Sequence, residues 1–342
     1  MVSRLGIVVC GSIATDYLMT FPGRFAEQLV DGQLDHVSLS FLVDELDIRR
    51  GGAAANIAFG LGCLGLAPVL VGAVGDDFGE YSDWLGRHGV STDHVLVSTT
   101  RHTARFLCTT DSDHNQIASF YPGAMQEARD IDLIAVLGDI GGTELVIISP
   151  DDPDAMLRHT AACRDAGQAF AADPSQQLAR MDGPQIRALV EGAQYLFTNA
   201  YERDLLQQKT GWSPAQVLDR VGTWITTRGA QGVTIEQAGD HVPIGVPAAP
   251  VTRHADPTGV GDAFRAGFLA GVSWQLTAER SAHLGCQLAS LVLESVGTQE
   301  YLFSPDDFAA RLADSYGAAA AAQVRGWLPA GLAEAGVTGE QG

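Results

Sequence analysis

The stretch Asp256-Pro257-Thr258-Gly259-Val260-Gly261-Asp262-Ala263-Phe264 decides how this chain is read. Glycines flank one residue, an acid follows, and a helical pattern begins with Phe264, Phe268 and Val272 on one face. Gly259 to Asp262 therefore stand where a loop becomes a helix N-terminus. The first helical turn leaves backbone N–H groups without partners and carries partial positive charge. Glycine lets that backbone come close to a ligand. Gly259, Val260 and Gly261 thus form a cradle for an anion, most often a phosphate. Asp262 stands in the cradle, where an acid can accept a proton from an attacking hydroxyl. It can equally serve as a helix cap, and the stretch alone does not separate the two roles.

The rest of the composition narrows the choice. The chain has 342 residues, 46% hydrophobic and 18% charged, enough for a large α/β core with a smaller attachment. Its net charge of −20 offers no basic face for nucleic acid. No apolar run approaches the roughly 20 residues that cross a membrane, and Leu5 to Cys10 is too short for a signal peptide. Cys10, Cys63, Cys108, Cys163 and Cys286 are scattered, which suits reduced cysteines of a cytoplasmic protein rather than a disulfide framework or metal site. Lys209 is the single lysine and follows no glycine loop. A P-loop needs its lysine to reach the phosphates, so that class is excluded. If the chain handles ATP, amides, arginine and a metal ion must manage the charge.

Along the chain, Leu5 to Cys10 reads as a strand ending at Gly11-Ser12. Ile13 to Asp47 does not read as helix; His36 to Val43 is rich in strand formers, so a small β element is expected after the first strand. Ala53 to Leu64 and Phe78 to His88 read as helices around a buried strand, Pro68 to Val74. Gly60-Leu61-Gly62-Cys63-Leu64-Gly65 matches the dinucleotide-binding pattern, but its glycines end a helix and precede a strand. That motif must follow a strand and open a helix, which argues against an oxidoreductase. Thr103 to Thr110 and Ile117 to Tyr121 read as a hairpin suited to join the first β element. From Leu145 onward strands and helices alternate, with a late antiparallel pair at Val233 to Glu236 and His241 to Val246. Alternation predicts a mostly parallel sheet covered on both faces, with ligands beyond the carboxyl ends of its strands. The polar residues Ser12, Asp16, Asp173, Asn199 and Arg228 fall there.

Separated patterns then point one way. Gly51-Gly52-Ala53-Ala54-Ala55-Asn56, Asn199-Ala200-Tyr201-Glu202 and Asp256 to Asp262, in this order, resemble the signatures of the ribokinase (PfkB) family of sugar and nucleoside kinases. The likeness spans residues 5 to 316 and, within the family, is closest to the bacterial adenosine kinases. It rests there on Gly11 to Asp16, Val37 to Asp44, Ala118 to Met125 and Asp173 to Arg180. The resemblance implies a three-layer αβα sandwich over 1–13, 49–100 and 126–330. It implies a β lid over 14–48 and 101–125, with a loose tail at 331–342. It implies transfer of the γ-phosphoryl of ATP to the 5′-hydroxyl of adenosine, with Asp262 as base, giving AMP in purine salvage. Asp16 would hold two ribose hydroxyls, which a carboxylate can accept at once, and Ser12, Gly52 and Asn56 would complete that grip. Phe106 and Phe120 would stack on the purine or simply fill the lid. Ser40, Gln176, Gln177 and Arg180 are placed near the nucleoside by the resemblance alone. Asn199, Thr227, Arg228, Gly229 and Thr258 would contact the nucleotide. Glu202 would orient waters on Mg²⁺, and Asp256 would help ligate a monovalent cation such as K⁺.

The substrate is the open point. A related kinase acting on ribose, fructose, guanosine, inosine or cytidine would carry the same motifs. A non-catalytic nucleoside sensor would share the fold but has no need of Asp262, Asn199 and Glu202 together. An inserted small sheet also offers unpaired edges, so a homodimer through the lids is expected.

Overall fold

The computed structural model describes residues 6–28, 40–240 and 242–329. Its first strand, β1 (Ile7–Cys10), is buried on both faces: Ile7 and Val9 join one core, Val8 and Cys10 the other. A continuous apolar strand of this kind belongs in a parallel sheet covered on both sides. After Ser12 the chain leaves the body. It makes β2 (Ala14–Thr20), the short helix α1 (Phe25–Gln28) and β3 (Glu45–Gly51), then returns through α2 (Ala53–Cys63). β4 (Val69–Val71), β5 (Ala73–Val74), α3 (Gly79–Arg87) and β6 (Leu96–Val97) follow. A second excursion forms the hairpin β7 (Ala104–Thr110) and β8 (Gln116–Tyr121).

Strand and helix then alternate through α4 (Leu133–Asp139), β9 (Leu145–Ile148), α5 (Pro153–Asp165), β10 (Phe170–Ala172), α6 (Gly183–Val190) and β11 (Tyr195–Asn199). The helices α7 (Ala200–Thr210) and α8 (Pro214–Leu218) lead to β12 (Thr223–Thr227), β13 (Val233–Gln237) and β14 (Ile244–Val246). The last helices are α9 (Val260–Ser273), α10 (Ala278–Leu293), α11 (Pro305–Tyr316) and α12 (Ala318–Arg325).

The main sheet runs β14-β13-β12-β11-β10-β9-β1-β4, parallel from β12 to β4 with β13 and β14 antiparallel at one edge. Residues of α2, α3 and α9 to α12 build one core and those of α4 to α7 the other, so the expected αβα sandwich is present. No helix among the described residues is long and apolar enough to cross a membrane. The misleading glycines Gly60 and Gly62 lie inside α2, ahead of β4, as their context predicts.

The excursions meet in a separate sheet of order β3-β2-β7-β8, in which β2 and β7 are parallel. Two expectations change here. Of the strand expected over His36 to Val43, residues 36–39 lie outside the described residues, and Ser40 to Val43 is coil. The β2–β3 pairing runs from Ala14↔Gly51 to Thr20↔Glu45, so the described residues Ser40 to Val43 lie beyond its paired length. A turn of helix, α1, also stands where none was read; Phe25 packs there on Phe21 and Phe41 with ring centroids 5.6 and 5.3 Å apart.

Candidate active site

Gly259 holds φ +76 and forms the N-cap of α9. A Cβ there would lie 2.8 Å from the Thr298 side chain, so glycine is required by both conformation and space. No side chain caps this helix, which leaves its first-turn amides open to a ligand. The capping reading of Asp262 is therefore excluded.

Asp262 accepts one side-chain hydrogen bond and feels one nearby guanidinium charge. Asn56, buried in the first turns of α2, donates from Nδ2 to Asp262 Oδ2 at 2.8 Å. Burial raises the Asp262 carboxyl above its ordinary range, against the charge of Arg265 and the Asn56 hydrogen bond. Arg265 is itself buried. It donates from Nη1 to the Gly261 carbonyl at 2.9 Å and from Nη2 to Asp173 Oδ1 at 2.6 Å, with Nε 2.5 Å from Asp173 Oδ2. Asp173 follows the carboxyl end of β10 and is raised by burial, against Arg265, to about 7. The glycine turn is thus bolted to the sheet by an ion pair beneath it.

The four-stranded sheet carries the other expected substrate residues. Its register sets Arg49, Asp16, Phe106 and Phe120 in one row across β3, β2, β7 and β8. Directly paired residues share a face, so the acid stands beside the aromatic rings. Asp16 is raised to about 6 by burial and by the charge of Asp256. Phe106 is part-buried and Phe120 is exposed. Ser12 Oγ accepts from Ala53 N at 3.1 Å and so caps the start of α2. Gly52, at φ +95, lies against the Ser12 carbonyl, 2.6 Å from where a Cβ would stand.

On the other side of the turn a cavity of about 620 Å³ opens between Thr227, Gly229, Pro257, Val260, Gly261 and Phe264. The N-x-x-E motif proves to be a capping box: Glu202 N donates to Asn199 Oδ1 at 2.8 Å and Asn199 N to Glu202 Oε2 at 2.7 Å. The other Glu202 oxygen has Ser175 Oγ at 3.4 Å. Burial favours the neutral form of Asp256, but hydrogen bonds from Thr258 N (2.9 Å) and Gly297 N (3.1 Å) and the charge of Arg49 outweigh it and hold the carboxyl below its ordinary range. Arg228 and Thr258 are exposed, and Arg228 Nε donates to Thr234 at 2.9 Å.

Four further residues expected near the nucleoside make no hydrogen bond to Asp16, Asn56 or Asp262 among the described residues. Ser40 stands in exposed coil, and Gln176 and Arg180 are exposed. Gln177 is buried and donates to the Asp151 carbonyl at 2.8 Å. Sequence reading missed Arg265, although it is the one charge between Asp262 and Glu279 in an otherwise apolar helix. It also missed Thr298 and Gln299, neutral residues on the loop after α10 whose side chains donate to Asn56 Oδ1 at 2.9 Å.

Residues 13–305 match the model of the pfkB family carbohydrate kinases. The nucleoside kinase of Methanocaldococcus jannaschii is 30% identical over 264 residues, 77% of this chain and 85% of that one. The Burkholderia thailandensis nucleoside kinase in complex with inosine superposes with a TM-score of 0.79 at 35% identity, covering 91% of this chain and 98% of that one. The same enzyme in complex with ADP-inosine gives 0.77 at 36%, covering 91% and 96%.

Proposed function

The chain belongs to the pfkB family of carbohydrate kinases, and from that premise we propose that this phosphotransferase uses ATP to phosphorylate the 5′-hydroxyl of a purine nucleoside, adenosine first among them. The observation that carries the nucleoside reading is the lid row, Asp16 beside Phe106 and Phe120. A bare sugar has use for the acid but none for two adjoining aromatic faces; a flat base has use for both. Inosine is the second reading, favoured by the Burkholderia relative solved with it.

In the proposed reaction Asp16, Ser12 and the Gly52 backbone hold the ribose, and Ser40, Gln176, Gln177 and Arg180 drop to peripheral roles. The adenine of ATP occupies the cavity beside Thr227 and Gly229, with Asn199, Arg228 and Thr258 toward its phosphates. Asp262 takes the 5′-hydroxyl proton as that oxygen attacks the γ-phosphorus. The bond to the β,γ-bridging oxygen breaks, and ADP leaves with that oxygen. The amides of Gly259 to Asp262 meet the charge of the transferring group. The acids suit Mg²⁺: Arg265 feels Asp173, Asp262 and Glu202 together, and a hard cation takes oxygen ligands and keeps water. Mg²⁺, when bound, neutralises phosphate charge; Glu202 would orient its waters. K⁺ enters only as a ligand for the ionised Asp256, and no step is derived through it. The buried free cysteines fit a reducing compartment, and we place the protein in the cytoplasm.

The test is ADP release with Mg-ATP across adenosine, inosine, guanosine, cytidine, ribose and fructose. Preference for adenosine, with AMP as product, supports the whole reading; preference for inosine moves the substrate but keeps the lid role. Preference for a sugar removes the stacking role of Phe106 and Phe120. Binding without turnover leaves the sensor.

Asp16→Asn gives a second check. Losing hydrogen bonds to a charged acceptor should raise the nucleoside KM about 10-fold or more with little change in ATP KM. The sign on stability is opposite. A carboxyl raised to about 6 by burial stabilises the fold while protonated, and that stability is lost as pH rises through 6. The variant should therefore melt higher than the parent at pH 8 but not at pH 4.5. A variant less stable at pH 8 would contradict the assignment.

We also propose that the lids pair two copies. The row opposite the site carries Ile48, Tyr17 and Leu107, and the next Leu46, Met19 and Ile117; Leu46 and Ile48 are 55% exposed. A second copy covering this face would account for apolar side chains on the outside of a sheet. Sedimentation at micromolar concentration should show a dimer, and a monomer there would refute it.

A further inference from the structure

We propose that Gln299 is a positioning residue for the reaction: it fixes the orientation of the Asn56 amide, and through it the hydrogen bond that holds the base Asp262. The geometry is a chain of polar groups, buried in its middle and part-buried at its two ends, from Trp84 to the Asp262 carboxylate. Trp84 Nε1 donates to Gln299 Oε1 at 3.1 Å. Gln299 Nε2 donates to Asn56 Oδ1 at 2.9 Å and to Tyr81 Oη at 2.6 Å, and Tyr81 Oη donates to the Gly51 carbonyl at 2.9 Å. Asn56 Nδ2 donates to Asp262 Oδ2 at 2.8 Å.

The direction of this chain is forced from its far end. An indole N–H can only donate, so the Gln299 oxygen must face Trp84 and its NH₂ must face Asn56. The Asn56 oxygen then faces Gln299, and its NH₂ is left for Asp262. Thr298 cannot set this orientation alone, because its one hydroxyl proton is shared between the Arg50 carbonyl and Asn56 Oδ1, each at 2.9 Å. Reversing Asn56 would set an amide oxygen against a carboxylate oxygen. The strap that carries Gln299 also touches the glycine turn, through Thr298 against Gly259 and Gly297 N on Asp256. It therefore joins the substrate-side motif to the phosphate-side motif.

This inference rests on the kinase reading and on Asp262 as its base. The experiment uses the full chain and the alcohol that the parent protein phosphorylates best, so a wrong substrate assignment leaves it intact. If the parent phosphorylates no alcohol, the kinase reading itself fails.

Gln299→Glu keeps the acceptor for Trp84 but removes the donor to Asn56 and invites the Asn56 NH₂ to turn toward the new carboxylate. The expected result is a fall in kcat of about 100-fold, with ATP KM held within about threefold, since misplacing a reacting group costs rate rather than cosubstrate binding. The acid limb of the kcat profile should move to higher pH, because Asp262 loses the hydrogen bond that favours its charged form. Of the other groups that face Asp262 electrostatically, Arg265, Asp173 and Tyr301 make no hydrogen bond to Gln299, whereas Tyr81 loses the donor that Gln299 Nε2 gives its hydroxyl.

A merely structural role is separated by the double variant. In an Asn56→Ala background, Gln299→Glu should cost less than about threefold further, because it acts through Asn56. Should the Glu variant fail to fold, Trp84→Phe keeps the ring and removes only the N–H that orients Gln299; it should lower kcat about fivefold to tenfold and be equally silent without Asn56. Parental kcat in both single variants, multiplicative losses in the double variant, or a rise in ATP KM in step with the kcat loss would each overturn the proposal.

Discussion

Asp262→Asn is expected to lower kcat by about 1,000-fold, within the range a positioned general base supplies, while the KM values for nucleoside and ATP change little. The substitution keeps the shape of the side chain. Asn56 Nδ2, now 2.8 Å from Oδ2, can still donate to an amide oxygen at the same place. The amides of the glycine turn are backbone groups and remain. What the proposed base would lose is the ability to accept the proton of the attacking hydroxyl. The pH dependence should disappear with it. Burial holds the Asp262 carboxyl above its ordinary range, so the parent loses kcat as pH falls through that raised value, and the variant should show no such limb.

Stability distinguishes this role from a structural one. A helix cap replaced by a non-capping residue costs about 1 kcal/mol, but α9 is not capped by Asp262. Removing a carboxylate that burial disfavours should leave the melting temperature unchanged or raise it at neutral pH. Turnover within about tenfold of the parent would mean that phosphate positioning and charge neutralisation carry the reaction without a base.

The glycine turn was legible because its chemistry is local: an αL glycine, an uncapped helix start and an acid lie within four positions, Gly259 to Asp262. The body sheet was legible for a similar reason, since buried strands and helices alternate along the chain. The site as a whole was less so. That Asp16, Phe106 and Phe120 share a row depends on parallel pairing of β2 with β7, a contact between segments some 90 residues apart in the sequence. Periodicity says nothing about which distant strand is the neighbour. Gln299 is harder still, because a neutral amide in a loop carries no pattern; its role exists only through Trp84 and Asn56. Glu202 shows the opposite case. Its motif was read for metal chemistry, and its geometry first serves the helix it caps, which does not prevent a carboxylate from also meeting water.

Arg265→Met should have the largest effect on the fold, a loss of about 3–5 kcal/mol, because breaking a buried pair strands its partner. Arg265 and Asp173 are 5% and 1% exposed, so water cannot replace the guanidinium. The loss should also depend on pH in a definite direction. In the parent, burial raises the Asp173 carboxyl to about 7 even with Arg265 opposing the rise. Without the arginine it is raised further. A carboxyl raised in the folded state contributes stability while protonated and loses it as pH rises through the folded value. Parent stability therefore stops falling on this account above about pH 7, while the variant continues to lose stability. The difference in unfolding free energy should widen between pH 7 and 8.5 and narrow toward pH 6. Denaturant titrations at these values of pH measure it directly, and a constant or shrinking difference would show that Asp173 is not the stranded partner. Catalysis should suffer separately, since Arg265 also holds the Gly261 carbonyl at 2.9 Å. At pH 6, where the variant is most nearly folded, its residual kcat reports how far the proposed role of the glycine turn depends on its being tied to the sheet.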